Sequence, residues 1–422
     1  MSRSVSLATL ALAIVVAGLG ARFGVHLLQL ARHGEQRDFA AVYTAAHVYR
    51  AGGDFYDPQP RSEHFYSTEN PAVLDASRRL GTLHTHDEEG IVHVHAFSYP
   101  PFTVLAFVPF TALRFRPAAV VWEIVCVAAL ALGGVWLRRA LGLSAAAALT
   151  LLSVALLFEP LEMTLGTGQI NSLILFLLCG FLAGLAAGGP ALAGTSLGLA
   201  TALRLHPALF FLYLAWRRQW RALGWAAATA AACTLLAIAL VGWPATVEYA
   251  TLVAPKYART FVGVGHSITA WVMTTGVGLL PGVPVDAWRR IGQALSLAAL
   301  ALAFATLRPW GPVTRERMVA DCAFFTAVIL LVTPNTNTSH LVFALIPLAL
   351  VLEAALGGGQ LALAPWIAVA VVLIGAVDDY YAHPLLAAGP VVLLRGIKTY
   401  GLVILAALAV QVACRPAPAR GA

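Results

Sequence analysis

Charge is scarce in this chain. Asp, Glu, Lys and Arg make up 11% of its 422 residues, hydrophobic residues make up 59%, and the mean hydropathy is +0.79. A soluble globule is excluded, because too few polar groups remain to cover its surface. Paired cysteines are missing too. Cys126, Cys179, Cys233, Cys322 and Cys414 lie singly in apolar surroundings and define neither a disulfide framework nor a metal motif. No glycine-rich phosphate loop or soluble nucleotide-binding domain is present, which argues against a sugar nucleotide as substrate. No alternating pattern of barrel type runs through the chain, and its basic residues flank apolar runs without forming a continuous patch. Neither a membrane β-barrel nor a nucleic-acid binder fits that pattern.

What is abundant is long apolar sequence. Runs near 5–30, 98–113, 117–137, 143–160, 170–188, 190–215, 222–242, 267–281, 287–307, 318–334, 337–356, 361–378 and 385–413 approach the length needed to cross a bilayer. That length is roughly 30 Å at 1.5 Å per residue. Several runs are short, so the pattern predicts an all-α polytopic membrane protein with about 10–13 spans. It is read as one transmembrane domain over residues 1–422. The first run follows Arg3 as a signal peptide would, but its length and the lack of a small-residue cleavage site at Gly34-Glu35-Gln36-Arg37 predict a retained span. The net charge of +7 sits in clusters at Arg138-Arg139, Arg217-Arg218-Gln219-Trp220-Arg221, Arg289-Arg290, Arg308 to Arg317 and Arg415 to Arg420. The positive-inside tendency places most of these loops in the cytoplasm.

Residues 31–98 form the one large polar segment, and apart from the pair Arg78-Arg79 they lack the basic clustering of the other loops, so this first loop is placed outside the cell. Within it Tyr43, Ala46, His47 and Arg50 have helical spacing, which predicts a helix lying along the membrane surface. A turn is expected at Gly52-Gly53-Asp54-Phe55-Tyr56-Asp57-Pro58. Between 98 and 215 straight spans leave the basic loops on both sides, which predicts a broken or re-entrant element with Pro207 as a candidate break.

Several residues could carry chemistry. Asp38 follows the first span at the membrane edge, where partial desolvation is expected to raise its pKa and basicity; a helix cap or a pair with Arg37 is the plainer alternative. Asp54 and Asp57 suit turns, and Ser98-Tyr99-Pro100-Pro101-Phe102 suits the non-helical entry to a helix. In Thr167-Gly168-Gln169-Ile170-Asn171, preceded by Glu159 and Glu162, the amides of Gln169 and Asn171 either join helices or meet sugar hydroxyls. In Leu203-Arg204-Leu205-His206-Pro207 the guanidinium needs an anion, either a phosphate ligand or a carboxylate such as Glu162. His340, at the end of the polar run from Thr333, and His266, which follows Lys256 and Arg259, are further candidates for a lipid headgroup. Tyr43 is a candidate on the loop helix. His84, His86, His93 and His95 flank Asp87-Glu88-Glu89-Gly90; a hairpin there would gather four imidazoles for zinc or copper, or be merely rich in histidine.

Taken in order, these patterns resemble the polyprenyl-phosphate-mannose-dependent mannosyltransferases of glycosyltransferase family 87, in the multispan GT-C superfamily. The residues that carry the resemblance are Arg37-Asp38-Phe39 with Tyr43 and Ala46, Gly53 to Pro58, Tyr99-Pro100-Pro101, Gly168-Gln169-Ile170-Asn171, Leu203 to Pro207 leading to Arg217-Arg218, and Ser339-His340-Leu341. The resemblance implies a GT-C-like bundle, a lipid-phosphate sugar donor and an active site on the outer face, with Asp38 as general base. It further implies a lipid or glycan acceptor in the cell envelope and no required cofactor, a divalent metal being possible in principle but not expected. Tyr43, Gln169, Asn171, Arg204, His206, His266 and His340 are the candidate substrate contacts. Two departures stand out: the family usually carries lysine where Arg204 stands, and its Asn-Gln-Ser run is absent near Gly265-His266-Ser267. Transport of lipid-linked sugars and transfer of another sugar, such as a pentose, are the rival functions.

Overall fold

The computed structural model describes residues 7–33, 36–56, 68, 70–85, 92–260, 262–263, 265–307, 310–375 and 383–414. Asp57, Pro58, His86, the turn Asp87 to Gly90, Arg308 and the basic tail from Arg415 lie outside them. The elements are α1 (Leu7–His33), α2 (Arg37–Arg50), α3 (Pro71–Leu80), β1 (His84–Thr85), β2 (Val92–His93), α4 (Pro101–Phe107), α5 (Phe115–Leu141), α6 (Ala145–Ala155), α7 (Glu159–Gly166), α8 (Asn171–Ala187), α9 (Pro190–Leu203) and α10 (Leu209–Trp216). They continue as α11 (Trp220–Leu240), α12 (Trp243–Glu248), α13 (Ala254–Tyr257), α14 (Ile268–Leu279), α15 (Val285–Thr306), α16 (Arg315–Val332), α17 (Leu345–Leu352), α18 (Ala364–Gly375) and α19 (Ile397–Ala413).

Among the described residues, five helical stretches are long and apolar enough to cross a membrane: Thr9–Leu30, Phe115–Leu141, Trp220–Leu240, Thr338–Gly357 and Pro390–Ala413. A sixth arises if α6 and α7, bent by 56° at a short break, form one span, and six shorter apolar helices accompany them. Ile14, Ile124, Leu235 and Leu297 stand exposed on α1, α5, α11 and α15, an apolar surface that lipid covers and water would not. This is a multi-pass, all-helical membrane protein; its only strands among the described residues are the two-residue β1 and β2.

Small residues set the closest helix approach. Gly194 and Gly198, one turn apart on α9, face α11, and a Cβ on Gly198 would lie 2.6 Å from the Ala226 carbonyl oxygen. In lipid there is no water to drive helices together, so such close backbone packing carries the association.

The segment after Tyr99 is broken, as expected. Pro101 opens α4 at its first turn, and α4 with the 3-10 turn Val108–Ala112 totals about 18 Å at ordinary helical rise, short of a full span. The second break falls at Arg204, three residues before Pro207. Arg204 is extended (φ −158°, ψ 133°), and a 3-10 turn His206–Ala208 leads into α10. Pro207 lacks the N–H that would bond the Leu203 carbonyl in a continuous helix. Thr103 Oγ1 takes that carbonyl instead, at 3.2 Å.

The loop helix differs from its expected placement. Phe39 and Tyr43 do not point at a membrane surface; nearly all of α2 is buried. Its apolar side chains run around the whole circumference, and such a helix is enclosed by protein. Phe39 packs within an aromatic cluster of Phe107, Phe110, Phe115 and Trp122, with ring centroids 5.8–6.1 Å away.

Candidate active site

Four pieces of chain that are remote in sequence meet at the N-terminus of α2. The first is Gln36-Arg37-Asp38. Gln36 adopts a left-handed backbone (φ 46°, ψ 49°), strain of about 1–2 kcal/mol for a residue with a Cβ. The second is the turn between α7 and α8. There the Thr167 carbonyl accepts from the backbone N–H of Asp38 at 2.8 Å and of Phe39 at 3.2 Å. Gly168 makes this approach possible: its φ is +69°, and a Cβ would lie 2.7 Å from Phe39 Cβ. Trp122 Nε1 donates to the Gly168 carbonyl at 2.8 Å, which ties the turn to α5.

The third piece is the break at Arg204. Its Nη1 donates to Asn171 Oδ1 at 2.8 Å and to Gln169 Oε1 at 3.3 Å, and its guanidinium lies 5.4 Å from the centre of the Tyr99 ring. No carboxylate pairs with Arg204 among the described residues. Glu162, the expected alternative partner, sits 3.5 Å from Arg22 on α1 instead. The fourth piece is the 3-10 turn Thr338–Ala344, where the Asn337 backbone N–H donates to His340 Nδ1 at 3.0 Å. A neutral His340 therefore carries its proton on Nε2. Its ring meets His206 edge-on at 5.8 Å.

Asp38 is the second residue of α2, where the helix dipole favours a carboxylate. About 21% of its side chain is exposed, and His95 Nδ1 lies 3.8 Å from Oδ1. Burial pushes its pKa up, but hydrogen bonding and charge from His95, with hydrogen bonding to Thr167 and Gln169, outweigh burial and leave it below the ordinary carboxylate value. The expected upward shift is thus reversed: His95 returns to Asp38 through the hairpin, in which His84 pairs with His93, and nothing local to Asp38 announces it. Among the described residues no group of three His, Cys, Asp or Glu side chains is placed to hold a metal ion.

These pieces line one cavity of about 650 Å³. Asp38, His95, Tyr99, Gln169, Arg204, His206 and His340 give it a polar wall, and Leu205, Leu209, Leu297, Leu300 and Val332 an apolar one. Three candidate residues lie off the wall. Tyr43 donates its hydroxyl to the Leu113 carbonyl at 2.7 Å inside the aromatic cluster. Asn171 stands behind Gln169 and Arg204, fully buried. His266 is buried beside Thr338 Oγ1, 3.0 Å away. Conversely, His95, a metal-ligand candidate in the sequence, and Tyr99, read there as part of a helix entry, both line the site.

With a carboxylate and an uncancelled guanidinium on one partly apolar wall, the cavity can take a proton and hold an anion. The chain is similar to several known proteins. A polyprenol-phosphate-mannose-dependent alpha-(1-2)-phosphatidylinositol pentamannoside mannosyltransferase of Mycolicibacterium smegmatis is 30% identical over 217 residues, 47% of this chain and 52% of that protein. A polyprenol-phosphate-mannose-dependent alpha-(1-2)-phosphatidylinositol mannoside mannosyltransferase of the same organism is 33% identical over 177 residues, 37% of this chain and 38% of that protein. The matched stretches thus span about half the length of these relatives or less. The crystal structure of ArnT from Cupriavidus metallidurans bound to undecaprenyl phosphate aligns over 94% of this chain and 77% of that one, at 14% identity and a TM-score of 0.44. The model of glycosyltransferase family 87 matches residues 97–334, a stretch that contains Tyr99, Gln169, Arg204 and His206 and leaves Asp38 and His340 outside. As that match covers more than half of its length, the chain belongs to glycosyltransferase family 87.

Proposed function

We propose that the protein moves a sugar, most simply mannose, from a polyprenyl phosphate to a hydroxyl of a lipid or glycan acceptor, inverting the anomeric carbon, with Asp38 as general base. The observation that carries this reading is the shared cavity of Asp38 and Arg204, with an apolar wall suited to a prenyl chain beside them. Asp38 accepts the acceptor's hydroxyl proton as its oxygen bonds the anomeric carbon. The bond from that carbon to the phosphate oxygen breaks, and its electron pair leaves with the polyprenyl phosphate. General-base assistance contributes about 10²–10⁴-fold. Arg204, together with the Nε2–H of His340, meets the negative charge that grows on the phosphate. A depressed Asp38 pKa is consistent with this role, because the base is then ionised throughout the neutral range.

Helix polarity supports an extracytoplasmic site. α8 begins at Asn171 in the site, and its 17 residues end at Ala187, about 25 Å away, where Arg315 donates to the Ala187 carbonyl. Arg217 and Arg317 gather at that same end on Asp321, and Arg317 reaches Cys414. The positive-inside tendency assigns this arginine-rich end to the cytoplasm and the cavity to the other face.

The test uses the purified protein in lipid vesicles with labelled polyprenyl-phosphate mannose and a lipid extract of the host as acceptor. Wild type should transfer label to a new product and Asp38→Asn should not. Equal transfer by the two would remove Asp38 from the chemistry, and translocation of intact donor without transfer would favour a transporter.

A further inference from the structure

We infer that Gln169 is a positioning residue that holds the base and the cation in register, its amide oxygen on Arg204 and its amide NH₂ toward Asp38, and that it is not a sugar-binding group. The inference rests on the reading of Asp38 as base. The orientation follows from donor and acceptor bookkeeping that starts at a backbone carbonyl. The Ser339 oxygen can only accept, so the Asn171 atom 3.0 Å from it is Nδ2. That same Nδ2 lies 2.6 Å from Gln169, whose facing atom must then be Oε1. Arg204 has donors only, and its Nη1 meets that Oε1 at 3.3 Å and Asn171 Oδ1 at 2.8 Å. Flipping either amide would set donor against donor. The Gln169 NH₂ is therefore turned away from Arg204 and Asn171, on a wall of the cavity that Gln169 shares with Asp38, the carboxylate whose pKa its hydrogen-bonding lowers.

The backbone is pinned equally well. Gln169 N–H donates to the Thr164 carbonyl at 2.9 Å, directly after Gly168 closes on Phe39. Gln169 is 6% exposed and both acceptor positions of its oxygen are filled, which leaves it little capacity for a sugar. One side chain thus sets the spacing between the group that takes the proton and the group that receives the leaving phosphate.

Gln169→Glu and Gln169→Met, in the full-length protein in vesicles with labelled polyprenyl-phosphate mannose, test this. Glu keeps the shape but turns the donor facing Asp38 into an acceptor and places a second carboxylate there. Met keeps the volume and removes the hydrogen bonds. Both should move the acid limb of kcat/KM to higher pH, by about one unit or more for Glu, and lower kcat by about 10²-fold through misplacement. Gln169→Glu should also raise KM for the donor, because its carboxylate competes for Arg204. A packing role would lower the yield of folded enzyme without moving the limb. Acid limbs that coincide with wild type, or wild-type turnover by Gln169→Met, would overturn the inference. If Gln169→Glu does not fold, Gln169→Met carries the comparison. Should Asp38→Asn retain transfer, the base assignment falls and this inference with it. Should Asp38→Asn be inactive while the limbs stay in place, the inference alone falls.

Discussion

Replacing Arg204 separates the charge it supplies from the geometry in which it supplies it. Arg204 is the only lysine or arginine among the described residues lining the cavity, so on the proposed reading Arg204→Gln leaves the departing phosphate without a fixed cation. A preorganised group aimed at developing charge in a water-poor site is worth about 2.7–4 kcal/mol, or about 10²–10³ in kcat. Arg204→Lys keeps the charge. It gives up the planar guanidinium, whose Nη1 donates to both Asn171 and Gln169, and weakens the contact over Tyr99. A charge-assisted hydrogen bond contributes about 1.5–3 kcal/mol and an exposed cation–π contact about 0.5–1 kcal/mol. An ammonium still reaches one amide, so the expected net loss is about 1.4 kcal/mol, a tenfold drop in kcat/KM. Lysine is the residue the family resemblance favours at this place, so the modest loss measures what the guanidinium adds. The assay is the initial rate of label transfer, varying donor at fixed acceptor and then the reverse. The loss should appear in kcat and in KM for the donor. Wild-type kcat in Arg204→Gln, or a change confined to KM for the acceptor, would refute the assignment of Arg204 to the phosphate.

Three further outcomes follow from the same structure. Because the folded Asp38 pKa lies below its ordinary value, its contribution to stability is present above the unfolded pKa near ~3.9 and is lost as pH falls through the folded one; the acid limb of kcat/KM should accordingly lie below about pH 4, and a limb centred near pH 6 would contradict the hydrogen-bonded carboxylate. Gly198→Leu forces α9 from α11 and should lower the unfolding midpoint in detergent, an overpacking cost of about 1–3 kcal/mol, whereas an unchanged midpoint would show that the pair yields. Asp321→Asn takes away the charge that Arg217 and Arg317 share at the far end of the bundle, and should cost about 3–5 kcal/mol of stability while sparing kcat of the folded fraction; a midpoint equal to wild type would refute a structural role for the triad.

The helices were legible because lipid imposes hydropathy on every crossing segment, but their lengths were not. About 10–13 spans were expected, and five helices, or six with the bent pair, are long and apolar enough to cross among the described residues, with six shorter apolar helices on other runs. The breaks were legible to within a few residues, since Pro101 and Pro207 remove donors wherever they stand. Tertiary closure was not. The small, apolar residues of α2 read equally as a surface helix or an enclosed one, and only the aromatic cluster from α4 and α5 decides between them. Nor does any local pattern link His95 to Asp38, so desolvation alone suggested a raised pKa where a neighbour reverses the sign.

Arg204 shows where such reading stops. A guanidinium in an apolar run demands compensation, and the sequence offers two kinds, a carboxylate such as Glu162 or a ligand. The structure uses a third. Neutral amide oxygens of Gln169 and Asn171 and the face of Tyr99 stabilise the charge without cancelling it. A carboxylate would have satisfied Arg204 and closed it to an anion, because breaking a buried pair costs several kcal/mol. Amides meet only part of its hydrogen-bonding capacity, since Arg has five N–H donors and these contacts occupy Nη1. The remaining donors and the whole charge stay available to a phosphate. The same amides that look like helix glue in the sequence therefore keep the cation ready, and they do so because the turn at Gly168, which closes on Phe39, sets them within reach of Arg204.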